Sequence, residues 1–325
     1  MASLRDSLKL YSTLSRFEFL PAVTVAILIG IFLGAPTFSD LFTLRMAVIL
    51  IEGLLIFYLL FNTGFMVNCW ADWKVDEIYK KNLAEAVRKF GRQKLLQLVI
   101  IHIALAILLT VHLTLIYTFR PEIFVMVLIG IFIGVGYSVE PFRFKSKGGW
   151  HSLMALPVFA IPGLFAYLLV SEIAFSTMYF KLFLFIVVGI TCAHYGLVLI
   201  SQAEDYPEDK AAGLRTPPVA WGLPTVLQVS FILNLSGSIL TCIAFFLLFY
   251  DSNIFLLALT PILVIALFYP TKAIYGFYQY SRKVKGQASL LAEIRAHMHN
   301  YPKWHGIPLG MIMLSSFILL VVRSI

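Results

Sequence analysis

Nine apolar segments of about 20 residues follow one another along this chain, and each is long enough to cross a lipid bilayer as a helix. Soluble domains carry about 25% charged residues, whereas this chain of 325 residues carries 13% and is 60% hydrophobic. The pattern predicts an all-α, polytopic membrane protein with nine transmembrane helices. The segments are residues 18–36, 45–67, 95–118, 122–139, 151–170, 180–202, 224–249, 253–270 and 306–323.

The basic residues are distributed unevenly between the loops. Of the 25 Lys and Arg residues, all but Arg45, Arg120, Lys181 and Arg323 lie in the N-terminal stretch or in the loops after the even-numbered segments. By the positive-inside rule these regions face the cytoplasm. We therefore expect an integral protein of the cell (plasma) membrane with a cytoplasmic N-terminus. The same asymmetry explains the net charge of +8 without a nucleic-acid partner.

The sequence predicts one transmembrane domain over residues 1–325. Its longest polar region, residues 271–305, is close to the lower size limit of an independent domain. Residues 1–18 lack the short apolar core and cleavage site of a signal peptide. The three cysteines share no CxxC spacing, so we expect neither a disulfide framework nor a zinc site.

A polar stripe follows the second segment. Asn68, Asp72 and Asp76 recur every fourth residue, so on a helix each lies about 6 Å further along the axis and about 40° further round it. Carboxylates directly after an apolar run are costly unless they are paired, solvated or bound to a cation. Taken alone, the stripe is equally typical of a solvated helix end.

A second pair of acids, Asp205 and Asp209, follows the sixth segment with the same spacing. Two carboxylate pairs on one side of a membrane repel each other unless cations lie between them. Oxygen ligands without Cys or clustered His favour Mg²⁺, which often takes phosphate oxygens as further ligands. The two motifs therefore predict a two-sided grip on a Mg²⁺-bound diphosphate.

Several basic residues lie beside these motifs on the predicted cytoplasmic side, and Tyr137 lies at the end of the fourth segment. Cationic side chains form strong hydrogen bonds with phosphate oxygens, although membrane topology by itself also explains basic residues here. The candidates are Arg16, Lys80, Lys81, Arg143, Lys145 and Lys210.

With these motifs placed, the sequence resembles the UbiA superfamily of intramembrane prenyltransferases. In that family an NxxxDxxxD motif follows helix 2, a DxxxD motif follows helix 6, and nine helices surround a central cavity beneath a cytoplasmic cap of loops. The stretches 137–145 and 205–222 look like the branch that contains chlorophyll synthases and archaeal lipid prenyltransferases. One departure is the stretch 79–82, Tyr-Lys-Lys-Asn, where many members have an Arg-Pro pair.

The resemblance implies Mg²⁺-dependent transfer of a prenyl chain from a polyprenyl diphosphate to a lipophilic acceptor within the bilayer. Pyrophosphate would be released, and the product would belong to lipid or quinone biosynthesis. Tyr137 would lie beside the reacting allylic cation, and the six basic residues would bind substrate. The implied metal and catalytic ligands are Asn68, Asp72, Asp76, Asp205 and Asp209.

Two other functions remain open at this stage. Carboxylates in a membrane protein often mark ion pathways, so a transporter or ion-binding protein is one alternative. The other is a family member that cyclises its prenyl substrate. The sequence does not identify the acceptor.

The histidines favour structural roles. His102, His112 and His194 lie in apolar segments without ligands at helical spacing, and we expect them to be interior or interfacial residues. His297, His299 and His305 are grouped in the predicted loop before the last segment. We do not expect them to bind a metal.

Overall fold

The computed structural model describes residues 4–17, 20–148, 157–172, 177–284 and 286–325, and it confirms the all-α class. Single turns of other helix types also occur, including a π-helical continuation at Leu113–Thr118 and a 3-10 turn at Phe144–Ser146. The α-helices are α1 (Leu4–Leu14), α2 (Leu20–Gly34), α3 (Leu44–Tyr79), α4 (Lys81–Phe90), α5 (Arg92–His112), α6 (Pro121–Gly136), α7 (Pro157–Val170), α8 (Met178–Glu204), α9 (Tyr206–Ala211), α10 (Pro217–Trp221), α11 (Leu223–Ser252), α12 (Thr260–Lys283), α13 (Gln287–His297) and α14 (Tyr301–Arg323).

Six helical stretches among the described residues are long and apolar enough to cross a membrane, which agrees with an integral membrane protein. They are Leu44–Tyr79, Arg92–Thr118, Met178–Glu204, Leu223–Ser252, Ile254–Lys283 and Gln287–Arg323. Shorter apolar helices at Thr24–Gly34, Pro121–Gly136 and Ala160–Val170 coincide with the first, fourth and fifth predicted segments. Parts of the first and fifth segments, residues 18–19 and 151–156, lie outside the described residues. The count of nine spanning helices stays a prediction.

The connections between the long helices contain short helices, among them α4 and α13. In α4 the apolar residues recur at helical spacing, and Leu83, Ala84, Ala86 and Val87 are buried. In α13 Leu290 and Ile294 are buried in the same way. These stretches fold as helices because an amphipathic face gains free energy when it packs on neighbouring helices.

The chain divides into two compact units, each described here by itself. Unit 1 comprises Met1–Val23 and Thr43–Lys145, and unit 2 comprises Thr24–Phe42 and Ser146–Ile325. In unit 1 the end of α3 packs against α1, α4 and α5, with Met66, Val67 and Cys69 in the shared apolar cluster. The prediction of a single domain stays a prediction.

In unit 2, α8 and α11 pack closely along small residues. A Cβ atom added to Gly196 would lie 2.8 Å from the Ser230 carbonyl oxygen and 3.1 Å from the Asn234 amide nitrogen. Asn234 Nδ2 donates to the Ala193 carbonyl oxygen at 3.0 Å. Small residues let membrane helices approach closely enough for backbone contact and interhelical hydrogen bonds. This packing supports the helix that carries the second acidic motif.

We predict that Gly196→Ala destabilises unit 2 by about 1–3 kcal/mol, because the added methyl group overpacks the contact between α8 and α11. Gly276→Ala is the matched control, since a Cβ on Gly276 meets no atom within 4 Å. Thermal melting of both variants in detergent measures the difference. Equal melting temperatures would show that the two helices do not pack this tightly.

Candidate active site

The first acidic motif lies within α3, which continues without a break past the apolar run to Tyr79. Asn68, Asp72 and Asp76 therefore form the predicted stripe on one helix. The helix ends at Lys80, whose backbone N–H donates to the Asp76 carbonyl oxygen at 2.8 Å. The last turns of a helix long enough to span the membrane thus present the three polar side chains together.

The loop after α6 binds the first two residues of this stripe. Ser138 Oγ donates to Asn68 Oδ1 at 3.2 Å, and Lys145 Nζ donates to the same oxygen at 2.5 Å. Lys145 also donates to Asp72 Oδ2, while Arg143 Nη2 donates to Asp72 Oδ1 at 3.1 Å. The side chains of Asp72 and Lys145 are only 13% and 11% exposed. This is a partly buried carboxylate between two cations.

Aromatic packing fixes this loop against α6. Phe144 is buried, and its ring lies 6.0 Å from the Phe132 ring. A Cβ on Gly136 would come within 2.9 Å of the Phe144 ring, so the close approach requires glycine at the end of α6. Tyr137 is half-buried, and its ring centroid lies 5.9 Å from Lys145 Nζ. The structure therefore places Lys145 on the motif and the Tyr137 ring beside the Lys145 ammonium.

Asp76 has a different environment. The ammonium of Lys80 and the guanidinium of Arg16 both interact electrostatically with its carboxylate. Arg16 and Lys80 also line a polar cavity of about 340 Å³, together with Ser12, Thr13, Asn82 and Leu83. Lys81 begins α4 and does not line this cavity. Of the two lysine candidates, only Lys80 therefore lines it.

A contact that the sequence did not reveal holds the motif helix against α5. The guanidinium of Arg92 lies 4.6 Å from the Trp70 ring centroid and 5.8 Å from that of Trp73. The chain reaches this position through a sharp turn at Gly91, whose φ of 92° favours glycine. Cation–π contacts of this kind fix the orientation of the last turns of α3.

The second motif, in unit 2, lies at the junction of α8 and α9. Asp205 ends α8, and the Asp209 N–H donates to the Asp205 carbonyl oxygen at 2.9 Å, which keeps the two acids one helical turn apart. Thr216 Oγ1 donates to Asp209 Oδ2 at 2.9 Å. A neutral hydroxyl thus orients this carboxylate, a partner that the sequence analysis missed.

Two basic side chains lie near the second motif, Arg295 and Lys210. Arg295 in α13 donates to both carboxylate oxygens of Glu208, at 2.8 and 3.1 Å. It also donates to the Glu204 carbonyl oxygen at 3.1 Å. Lys210 is exposed, with its ammonium 5.7 Å from the Tyr206 ring centroid. Arg295 therefore links α13 to the residues beside this motif. The spacing of residues in the sequence did not predict this contact.

Both motifs offer carboxylate oxygens, and the first also offers an amide oxygen, which are donors that suit Mg²⁺. Among the described residues, no three His, Cys, Asp or Glu side chains form a group that would hold a metal by themselves. Mg²⁺ is usually bound by one or two carboxylates together with substrate phosphates and water. The residues present therefore fit a metal that arrives with, or binds to, a diphosphate.

Two histidine contacts lie away from these motifs. His305 belongs to α14 rather than to a loop, and its ring centroid lies 4.9 Å from that of His194. The prediction of a loop cluster was wrong here, because the last helix begins earlier, at Tyr301, with Pro302 in its first turn. In unit 1 the His102 ring lies 6.0 Å from Tyr11, a residue that accepts a hydrogen bond from Asn62 Nδ2 at 3.0 Å.

The fold and these motifs define an all-helical integral membrane protein with two acidic sites of the kind that bind magnesium diphosphates. Residues 23–292 match the model of the UbiA prenyltransferase family. The chain belongs to this family. The predicted family is thereby confirmed, together with the predicted enzyme class of an intramembrane prenyltransferase.

Solved structures share this fold over nearly their whole length. A UbiA homolog from Archaeoglobus fulgidus bound to DMAPP and Mg²⁺ is 19% identical, with a TM-score of 0.63 over 95% of this chain and 98% of that chain. The homolog bound to GPP and Mg²⁺ is 20% identical, with a TM-score of 0.60 over 96% and 99%. A digeranylgeranylglyceryl phosphate synthase structure is 15% identical, with a TM-score of 0.65 over 96% and 99%. No curated protein sequence matches this chain.

We predict that Thr216→Val lowers prenyl transfer by about 10–100-fold, the usual effect of removing a side chain that orients a metal ligand. Thr216 is buried and its hydroxyl does not cap α10, so valine keeps the packing and removes only the bond to Asp209. Thr216→Ser should restore most of the activity. Steady-state turnover of the purified variants measures the effect, and full activity in Thr216→Val would contradict it.

Proposed function

We propose that this protein transfers the prenyl chain of a prenyl diphosphate to a lipophilic acceptor, with the diphosphate held as its Mg²⁺ complex at the two acidic motifs. The observation that carries the proposal is the first motif itself. There Asn68 and Asp72, at the end of a membrane-length helix, are held by two cations and a hydroxyl from a single loop. The Mg²⁺ and prenyl diphosphates bound to the Archaeoglobus fulgidus homolog support the same assignment.

The proposed Mg²⁺ ligands are Asn68, Asp72 and Asp76 of the first motif and Asp205 and Asp209 of the second. Bound Mg²⁺ would stabilise negative charge on the leaving diphosphate. We further propose that the chain forms one domain of nine membrane-spanning helices around a central cavity. The nine apolar segments of the sequence support this arrangement.

The basic residues would neutralise the diphosphate as the bond between the prenyl C1 and the bridging oxygen breaks. The electron pair of that bond leaves with the diphosphate, and the chain becomes an allylic cation. The acceptor nucleophile then forms the new bond to C1 and loses its proton. Arg143, Lys145, Arg16 and Lys80 have the positions to bind phosphate oxygens, and the Tyr137 ring has a face suited to a carbocation.

The acceptor and the membrane orientation belong to the proposal as well. The structural similarity to a digeranylgeranylglyceryl phosphate synthase supports an acceptor that is itself a lipid or is soluble in lipid. The distribution of Lys and Arg supports a cytoplasmic N-terminus and cytoplasmic acidic motifs. On this basis the protein resides in the plasma membrane and receives its diphosphate substrate from the cytoplasm.

We predict that purified protein releases pyrophosphate from a prenyl diphosphate only when Mg²⁺ is present. Asp72→Asn and Asp205→Asn should each reduce this rate by about 100-fold or more, because the charge that holds the metal is lost. Asp251→Asn, at an exposed position near the end of α11, is the control and should retain full activity. Normal turnover in the first two variants would refute the site. Ion flux in liposomes without pyrophosphate release would indicate a transporter.

We also predict that a host that expresses the chain gains one class of prenylated lipid. Mass spectrometry of total lipid extracts should show a mass increase equal to one prenyl group on a host acceptor. Cells that express Asp72→Asn provide the comparison, because that variant inserts into the membrane without the catalytic charge. A product with the mass of a cyclised prenyl chain and no acceptor would instead identify a cyclase.

A further inference from the structure

The ammonium of Lys145 contacts the oxygens of the first motif that are proposed to bind the metal. Its ammonium donates to both Asn68 Oδ1 and Asp72 Oδ2, and these two residues are proposed ligands of the same ion. One ammonium therefore bridges two proposed metal ligands.

A divalent ion and this ammonium compete for the same place. Asp72 Oδ1 accepts from Arg143 and Oδ2 accepts from Lys145, and Lys145 also donates to Asn68 Oδ1. Two cations on one carboxylate oxygen repel each other strongly in a site as little exposed as this one. Binding of the metal at Asn68 and Asp72 therefore requires Lys145 to move.

The side chain can move while the loop stays in place. The loop backbone is anchored by the buried Phe144 and by the Lys145 N–H, which donates to the Tyr137 carbonyl oxygen at 3.3 Å. The lysine stem is flexible and its ammonium is a compact charge, whereas the planar guanidinium of Arg143 is less adaptable. The Tyr137 ring lies 5.9 Å from the ammonium and offers it a second favourable surface.

We propose that Lys145 is an exchangeable counter-ion that couples metal binding to diphosphate binding. Its ammonium leaves Asn68 and Asp72 when the divalent ion binds, and it moves to an oxygen of the incoming diphosphate. The metal alone then binds weakly, because it must displace a cation that gains no new partner. The diphosphate supplies that partner, so each ligand strengthens the binding of the other. This inference rests on the proposed function and adds the order in which its parts assemble.

The test is a titration of purified protein with Mn²⁺, followed by electron paramagnetic resonance, with and without inorganic pyrophosphate. Lys145→Met should bind Mn²⁺ alone about tenfold more tightly than the wild-type protein, since one charge-assisted competitor is removed. Pyrophosphate should then raise its Mn²⁺ affinity much less than it raises that of the wild type. Lys89→Met, which removes an exposed lysine paired with Glu85, should behave as the wild type does.

Lys145→Gln keeps a hydrogen-bond donor near Asn68 without the charge, and it provides the same measurement if the methionine variant fails to fold. Equal or weaker Mn²⁺ affinity in these variants would overturn the exchange, even if Asp72→Asn still abolished binding. Failure of the wild-type protein to bind Mn²⁺ at millimolar concentration, with or without pyrophosphate, would instead refute the proposed metal site. The two failures are thus distinct.

Discussion

The contact between Asp72 and the cations Arg143 and Lys145 is the interaction on which the candidate site depends. A carboxylate at the end of a membrane-length helix is costly to bury unless an opposite charge compensates it. The loop after α6 supplies two cations to Asp72, and the Ser138 hydroxyl in the same loop donates to the neighbouring Asn68. The same contacts make the loop part of the site, because the residues that stabilise the acid are those with the chemistry to bind a diphosphate.

Different elements contact the two acidic motifs. In unit 1 the cations Arg143 and Lys145 contact Asp72 directly. In unit 2 the carboxylate of Asp209 accepts from the hydroxyl of Thr216, and Arg295 contacts Glu208. A directed hydrogen bond fixes the orientation of a carboxylate, so the position of Asp209 depends on Thr216.

The pattern of residues along the sequence predicted the long helices and the acidic motifs well, and the short helices poorly. The length of the apolar segments and the four-residue spacing of Asp72 and Asp76 could be interpreted from the sequence. Both follow from helix geometry, which the backbone sets. The short helices α4 and α13 carry many charges, so no long apolar run marks them in the sequence. Only their spacing, with Leu83 and Val87 or Leu290 and Ile294 one turn apart, indicated a buried face.

By itself the sequence determined the helical class, the membrane environment, the family and the two acidic motifs. Only the tertiary structure decided that Lys145 contacts Asn68 and Asp72 and that Thr216 orients Asp209. It also decided that Lys80, rather than Lys81, lines the cavity beside Asp76. The reason is distance along the chain. Lys145 and Asp72 are 73 residues apart, and no periodicity of the backbone relates side chains that meet only through the packing of separate helices.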